Sequence, residues 1–322
     1  MLMPAEMAKA GRAGDPPRKV VSIGECMVEL RDRPDQLSRA FGGDTLNTAV
    51  YLARLGIPVA YLTALGDDPY SAEMLAAWRA EGVGCGDVAI LPGKLPGLYA
   101  IRVDSGGERS FFHWRTAAAA RDMMKDAAGD RIADAIARTG CAYLSAITLS
   151  ILDAASRARL NGALDALRGA GGLVAFDSNY RPRNWSGREA ARLAVQATLA
   201  RVDIALPTFE DEQALFDDPT PEATLARLSA LGVPEIVVKR GPAPALVAFG
   251  GRTWQIPPEL VAEPVDTTAA GDAFNAGYLA ARLRGQEPPA AAREGHRLAA
   301  AVIRHPGAII PVAAMPTGEL FA

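Results

Sequence analysis

Val265-Asp266-Thr267-Thr268-Ala269-Ala270-Gly271-Asp272-Ala273-Phe274-Asn275-Ala276-Gly277-Tyr278 decides how the rest of this chain is read. Small residues 269–271 follow a pair of threonines and lead into Asp272. Behind Asp272, residues 273–283 are small and apolar at helical spacing, with no proline. The small residues therefore form a turn that opens a helix. A helix N-terminus presents unpaired backbone N–H groups and a partial positive charge, and small residues let an anion approach them. The segment predicts an anion cradle with a carboxylate at its rim. Phosphoryl transfer needs that pairing: amides stabilise charge on the moving phosphoryl group, and an aspartate accepts the proton of the attacking hydroxyl. A lone aspartate here would instead read as a helix cap. The turn is expected to tolerate alanine at 269 on the condition that its φ stays negative. The helix dipole and nearby cations are expected to keep Asp272 ionised near neutral pH.

Upstream of this stretch, strands and helices alternate. The pattern predicts strands at 141–147, 173–176, 202–206 and 235–239, with helices at 154–168, 189–200 and 221–231 between them. Such alternation argues for an α/β fold with a doubly wound, mainly parallel sheet. Segments 245–249 and 253–256, joined through Gly250-Gly251, suggest a late antiparallel hairpin, and 290–303 a last long helix. Ligands of open parallel sheets sit beyond the carboxyl ends of the strands. Polar runs follow those ends here: Asp177-Ser178-Asn179-Tyr180-Arg181, Thr208-Phe209-Glu210-Asp211-Glu212 and Lys239-Arg240-Gly241. Each alone is an ordinary cap or turn; their succession beside an anion cradle points to a site.

The N-terminal part opens with a β-branched strand at 19–24. A dinucleotide-binding fold would continue Gly-x-Gly-x-x-Gly, whereas this chain continues Gly24-Glu25-Cys26-Met27-Val28-Glu29-Leu30, which argues against a nicotinamide enzyme. Residues 26–40 alternate loosely and leave the main sheet. Phe41-Gly42-Gly43-Asp44-Thr45-Leu46-Asn47-Thr48-Ala49 begins a capped helix that ends at Gly56. Capping accounts for Leu46, Val50 and Ala53; a bound polyol accounts for Asp44, Thr45 and Asn47 clustered behind glycines. A strand is expected at 58–66, a helix from 69 to about 81 and a strand at 88–91. Segments 98–104 and 109–115, linked by Ser105-Gly106-Gly107-Glu108, read as a hairpin. Its aromatics (Tyr99, Phe111, Phe112, Trp114) suit either core or a lid.

The run 266–272 resembles the C-terminal signature of the ribokinase-like (PfkB) carbohydrate kinases, Asp-Thr-x-Gly-Ala-Gly-Asp, with Ala269 where the pattern has Gly. Gly42-Gly43-Asp44-Thr45-Leu46-Asn47-Thr48-Ala49 resembles their N-terminal signature in the wording of the 2-keto-3-deoxygluconate kinases. The resemblance runs from Val21 to Pro316 and takes in Leu95-Pro96-Gly97-Leu98-Tyr99, Trp114-Arg115, Asn179-Tyr180-Arg181-Pro182-Arg183, Val238-Lys239-Arg240-Gly241 and Gly307-Ala308-Ile309-Ile310-Pro311. It implies an ATP-dependent kinase in which Asp272 is the base and Ala270 and Gly271 supply oxyanion-hole amides. Gly43, Asn47, Tyr99, Arg115 and Arg181 would contact a sugar acid. Lys239, Arg240, Gly241 and Thr208 would lie by the nucleotide, with Ala300 and the helix around His296 against the adenine. The strands near 26–40 and 95–116 would form a small β-sheet lid that also serves as a homo-oligomer contact. Asp266 and Thr268 match positions that help hold a monovalent cation such as K⁺. Where many relatives carry Asn-x-x-Glu near Mg²⁺, this chain has Thr208-x-x-Asp211, with a shorter carboxylate for ordering the ion. A fructokinase or other neutral-sugar kinase is the nearest alternative, separated by Arg115 and Arg181, because a carboxylate substrate rewards guanidinium partners. A catalytically dead sugar sensor is the alternative of another class, and the intact Gly271-Asp272 pair weighs against it.

Bulk properties agree. The 322 residues, 49% hydrophobic and 22% charged, can bury one large α/β core. A net charge of −3 gives no support to nucleic-acid or anionic-membrane binding. Cys26, Cys85 and Cys141 lack metal-ligand spacing, so a reducing cytoplasm is the simplest setting. Residues 1–18 lack the apolar core of a signal peptide and read as a flexible lead-in, with one kinase domain over 19–322.

Overall fold

Short apolar runs flanked by glycines and helix caps build an eight-stranded sheet with helices on both faces. The computed structural model describes residues 17–33, 36–103 and 109–317. In the first half come β1 (Val20–Ile23), β2 (Met27–Arg33), β3 (Gln36–Gly42), α1 (Asp44–Arg54), β4 (Val59–Leu62), β5 (Ala64–Leu65), α2 (Pro69–Ala80), β6 (Ala89–Ile90), β7 (Gly97–Val103), β8 (Arg109–Trp114) and α3 (Asp126–Ala137). Next are β9 (Cys141–Ser145), α4 (Ala146–Ile151), α5 (Ala154–Gly169), β10 (Leu173–Asp177), α6 (Arg188–Leu199), β11 (Ile204–Ala205), α7 (Phe209–Phe216) and α8 (Pro221–Ala230). The chain closes with β12 (Glu235–Val238), β13 (Ala245–Phe249), β14 (Arg252–Ile256), α9 (Ala270–Leu283) and α10 (Pro288–Val302).

The main sheet has the order β14-β13-β12-β11-β10-β9-β1-β4. It is parallel from β4 to β12, and β13 and β14 close the edge as an antiparallel hairpin. One face is covered by α1, α9 and α10 through Leu46, Val50, Leu279 and Leu298. The other is covered by α3, α5, α6 and α8 through Ile132, Leu164, Val195 and Leu228. This two-sided burial is why the central strands read as continuous apolar runs rather than alternating ones. Helices α9 and α10 meet backbone to backbone: a Cβ on Gly277 would stand 2.8 Å from the Glu294 carbonyl, and one on Gly295 2.9 Å from that of Phe274. Only glycine permits such an approach, and it fixes α9 against the sheet.

A second sheet, β3-β2-β7-β8, stands apart from the first. Strand β2 pairs antiparallel with β3 and parallel with β7, which forms the hairpin with β8. Phe112 and Trp114 are exposed on it. The expected turn at Ser105–Glu108, and the lead-in up to residue 16, lie outside the described residues.

Some boundaries differ from the sequence expectations. The strand placed at 141–147 stops at Ser145, whose hydroxyl accepts from the Ile147 amide at 3.2 Å and opens α4. That placed at 202–206 shrinks to β11, and Lys239 leaves its strand for an isolated bridge to Thr208. Helix α3 escaped the reading although Ala128, Ile132, Ala135 and Ile136 bury one face. Ala269 does not keep negative φ: it sits at φ 61, ψ 14, in the left-handed region, as the N-cap of α9. The sharp entry into the helix needs a left-handed residue, and the alanine adopts that conformation at a cost.

Candidate active site

The carboxyl ends of β9, β10 and β12 deliver Ser145, Asp177 and Lys239 to one cleft, and the first turns of α1 and α9 deliver Asp44, Asn47 and Asp272 to it. Asp272 is buried, and its Oδ2 accepts from Asn47 Nδ2 at 2.8 Å. The hydroxyl of Thr48 donates to the Asp272 carbonyl at 3.2 Å, so α1 holds the aspartate by side chain and backbone alike. Lys239 Nζ donates to Asp177 Oδ2 at 2.9 Å and to Asn275 Oδ1 at 3.0 Å. Asn275 Nδ2 in turn donates to Asp177 Oδ2 at 2.7 Å and to the Tyr143 hydroxyl at 2.9 Å. A Cβ on Gly271 would stand 3.5 Å from Lys239 Nζ, so the ammonium lies against the first turn of α9, where helical amides lack intrahelical partners. Asp44 Oδ2 accepts from Ser145 Oγ at 2.5 Å and Asn179 Nδ2 at 2.7 Å.

The electrostatics correct one expectation. Asp272 is not kept ionised in the unliganded protein: its pKa is pushed up to about 8, first by burial and then by the Asp44 carboxylate, with Asp177 adding to it. The Asn47 hydrogen bond and Lys239 pull the other way and lose. Asp211 is raised to about 6 by burial, against the pull of Arg181. Glu212, wholly buried, is raised to about 7 despite Arg227.

Among the residues expected to contact sugar, Gly43 caps α1 and lies over the Glu25 carbonyl, while Tyr99 packs under Gly42. The Tyr99 hydroxyl donates to Glu29, and Arg115 donates to the buried Glu25. Arg181 is half exposed and bonds to Asp211 Oδ1 at 3.2 Å and to the Tyr180 carbonyl at 2.8 Å. The structure thus gathers Gly43, Asn47 and Asp272 through α1, whereas both arginines are paired with acids of the chain itself. Of the nucleotide-side residues, Lys239 is in the network and Thr208 caps α7, its amide donating to Ser178 Oγ at 3.3 Å. Arg240 and Gly241 continue from the bridge at Lys239 into a turn, and Ala300 is buried on α10. Asp266 Oδ1 accepts from the Thr268 amide at 3.0 Å and hydroxyl at 2.6 Å, and Oδ2 from the Gly307 amide at 2.9 Å. The amide of Ala270 donates to the Thr267 carbonyl at 3.2 Å.

Asp177, Asn275 and Asp44 complete the network; the sequence marks the runs that hold Asp44 and Asp177 without giving either a role, and does not single out Asn275. Asn275 is one helical turn beyond Asp272, a spacing that puts both on one face, and was legible on that ground. Glu25 and Glu29 carried no signal beyond being acids next to an apolar strand.

Among the described residues no group of three or more His, Cys, Asp or Glu is disposed to hold a metal. Mg²⁺ commonly needs only one or two protein carboxylates, its remaining positions going to phosphates and water. Asp211, a single carboxylate close enough to Lys239 and Asp177 to feel their charges, fits that limited role.

The comparisons give the family. Residues 17–315 match the model of the pfkB family carbohydrate kinases. The chain belongs to that family. It is 47% identical over 309 residues to the 2-dehydro-3-deoxygluconokinase of Dickeya dadantii (93% of this chain, 99% of that protein), and 44% identical to that of Escherichia coli K12 over the same spans. A fructokinase of Klebsiella pneumoniae is 31% identical over 270 residues, 81% of this chain and 83% of its own length. Among solved structures, the fold matches that of a putative ribokinase II from E. coli in complex with ATP and Mg²⁺ (TM-score 0.78, 23% identity, 92% of this chain and 96% of that one). As a pfkB-family carbohydrate kinase, the chain carries the buried Asp272 on the first turn of α9, the turn that Lys239 lies against.

Proposed function

We propose that this kinase transfers the γ-phosphate of ATP to the terminal hydroxyl of 2-keto-3-deoxygluconate. The observation that carries the chemistry is the buried Asp272 carboxylate, oriented by Asn47 and standing on the helix turn that Lys239 lies against. Its free oxygen takes the hydroxyl proton as the sugar oxygen attacks the γ-phosphorus. The bond from that phosphorus to the bridging oxygen breaks, and ADP leaves. The amides of Ala270 and Gly271 stabilise the charge that develops on the transferring group, Ala270 by exchanging its turn bond to Thr267. Lys239 neutralises phosphate charge; Arg240, Gly241, Thr208 and Ala300 border the nucleotide. Asp211 would order Mg²⁺, which would neutralise phosphate charge, and Asp266 with Thr268 would hold a monovalent cation beside the turn.

The substrate reading is supported by the 2-dehydro-3-deoxygluconokinases among the relatives and by two guanidinium groups, Arg115 and Arg181, that can pair with a carboxylate. Arg181 exchanges Asp211 for the substrate carboxylate, while Arg115 meets that carboxylate from its place against Glu25. That internal pairing also favours a second reading, a neutral-sugar kinase, in which the arginines stay with Glu25 and Asp211. Coupled measurement of ADP release over a panel of sugar acids and neutral sugars decides between them: kcat/KM is expected to be highest for 2-keto-3-deoxygluconate, and a maximum at fructose would reject the proposal.

The small sheet is the lid and the contact between two copies. A groove of about 460 Å³ runs along it, lined by Leu30, Tyr70, Leu95, Leu98 and Trp114, and Trp114 is 62% exposed. A second copy would cover that apolar surface. The cytoplasm is the proposed setting; no helix among the described residues is long and apolar enough to cross a membrane.

A further inference from the structure

Glu25 is wholly buried at the end of β1, where a carboxylate is costly to keep. Its Oε2 accepts from Arg115 Nη2, yet Oε1 has no hydrogen-bond partner among the described residues, and neither has the buried Nε of Arg115. Burial raises the pKa of Glu25, while Arg115 and, from further away, Arg121 oppose it. A half-bonded buried pair of this kind stabilises a fold poorly: apolar residues of the same volume commonly do as well or better. Stability alone therefore does not explain it.

Its surroundings point to a positional role. Gly97 leaves room for Glu25 on one side: a Cβ there would stand 2.8 Å from Oε1 and 3.3 Å from the Cβ of Arg115. Gly43 leaves room on the other, since a Cβ there would run into the Glu25 carbonyl. Gly43 caps α1, and α1 carries the Asn47 that holds Asp272. One residue thus joins Arg115, through its side chain, to the helix that orients the base, through its backbone.

We propose that Glu25 is a positioning residue that fixes the Arg115 guanidinium at a set distance from Asp272, so that one buried side chain matches the site to the length of its substrate from carboxylate to reacting hydroxyl. This rests on the reading of the substrate as a sugar acid recognised by Arg115. It predicts selectivity among sugar acids by chain length as well as by charge.

The test is a double-mutant cycle on Glu25 and Arg115, read by steady-state kinetics with 2-keto-3-deoxygluconate and ATP and by calorimetric titration of the sugar acid without ATP. Glu25→Ala is expected to raise KM and Kd for the sugar acid about tenfold or more, to lower kcat less than it raises KM, and to leave KM for ATP within about twofold. Glu25→Gln keeps the shape and an acceptor for Arg115 and should restore KM to within about threefold of wild type. In an Arg115→Ala background Glu25→Ala should add less than about twofold, because its partner is already gone. Should Glu25→Ala fold poorly, Gly97→Ala crowds Oε1 while leaving the carboxylate in place, and is expected to raise the sugar-acid KM in the same sense. An unchanged sugar-acid KM, an equal rise in KM for ATP, or a full effect of Glu25→Ala on the Arg115→Ala background would overturn the proposal. If the wild type phosphorylates only neutral sugars, the substrate reading fails first, and that outcome is seen before any variant is made.

Discussion

The two ends of the cleft are built differently. At the reacting end, Lys239, Asp177, Asn275 and Tyr143 bond to one another on rigid strand ends and on α9, a helix locked to α10 by glycine contacts. At the recognition end, Glu25 Oε1, Arg115 Nε and Asn47 Oδ1 are buried without partners among the described residues, and Tyr99 and Glu29 stand on a separate sheet with Arg115 just beyond its last strand. A satisfied polar network fixes one geometry, whereas unpaired buried groups carry a free-energy penalty that a ligand can relieve. The contrast assigns preorganised chemistry to the first end and substrate-dependent closure to the second.

Breaking the reacting end should have the largest effect. Asp272→Asn keeps the shape of the side chain and removes its basicity, so kcat should fall about 10²–10⁴-fold. Binding of ATP and sugar acid, followed by titration, should be retained; loss of binding together with kcat would mean that the variant disrupts the cleft instead. At the recognition end the effect should be smaller and should lie in KM. Arg181 is half exposed and shares its charge with Asp211, so Arg181→Ala should raise KM for the sugar acid about tenfold, short of the loss measured for fully buried charge pairs. A kcat defect with an unchanged sugar-acid KM would move Arg181 to the phosphate side of the cleft.

The raised carboxylates of the reacting end also mark the folded state. Asp272, at about 8, binds a proton that the unfolded chain has released above its ordinary value of 3.8. Its contribution to stability is fully present below that value and is lost as pH rises through about 8. Asp211 and Glu212, at about 6 and about 7, act in the same direction over their own ranges. Urea unfolding at pH 5 and pH 8.5 should therefore show a loss of stability at the higher pH that is smaller in Asp272→Asn. An equal loss in both proteins would assign the dependence to other groups. The smallest effect is expected at Ala269, where glycine removes the left-handed strain but gives up chain stiffness, for a net gain of about 0.5–1 kcal/mol. A loss of stability in Ala269→Gly would show that its methyl group packs usefully.

The difference between the ends also sets what the sequence discloses. Elements of the main sheet were legible because parallel strands buried on both faces give short apolar runs with helices between them. The turn that opens α9 was legible because small residues and a carboxylate precede an apolar run at helical spacing. The conformation of Ala269 was misread, since no local rule announces a left-handed alanine. The ionisation of Asp272 was misread because Asp44 and Asp177, distant in sequence, meet it only in the fold. Glu25 stayed hidden for the same reason: its partner is ninety residues away on another sheet. The strand expectation runs on into Ala146 and Ile147, the apolar first residues of α4, because the hydroxyl of Ser145 that ends β9 looks like any other serine in sequence.

The pH dependence of kcat/KM tests the central claim most directly, because it reads the protonation of the base in the ATP-bound enzyme that awaits the sugar. With 2-keto-3-deoxygluconate as the varied substrate and ATP saturating, kcat/KM should climb tenfold per pH unit at low pH and level off only where Asp272 gives up its proton, which burial and the Asp44 carboxylate hold above the ordinary aspartate range. The Asp272→Asn variant should lose that limb and retain a low, flat profile. A wild-type profile already level from pH 5, or the same rising limb in Asp272→Asn, would contradict Asp272 as the base that takes the hydroxyl proton.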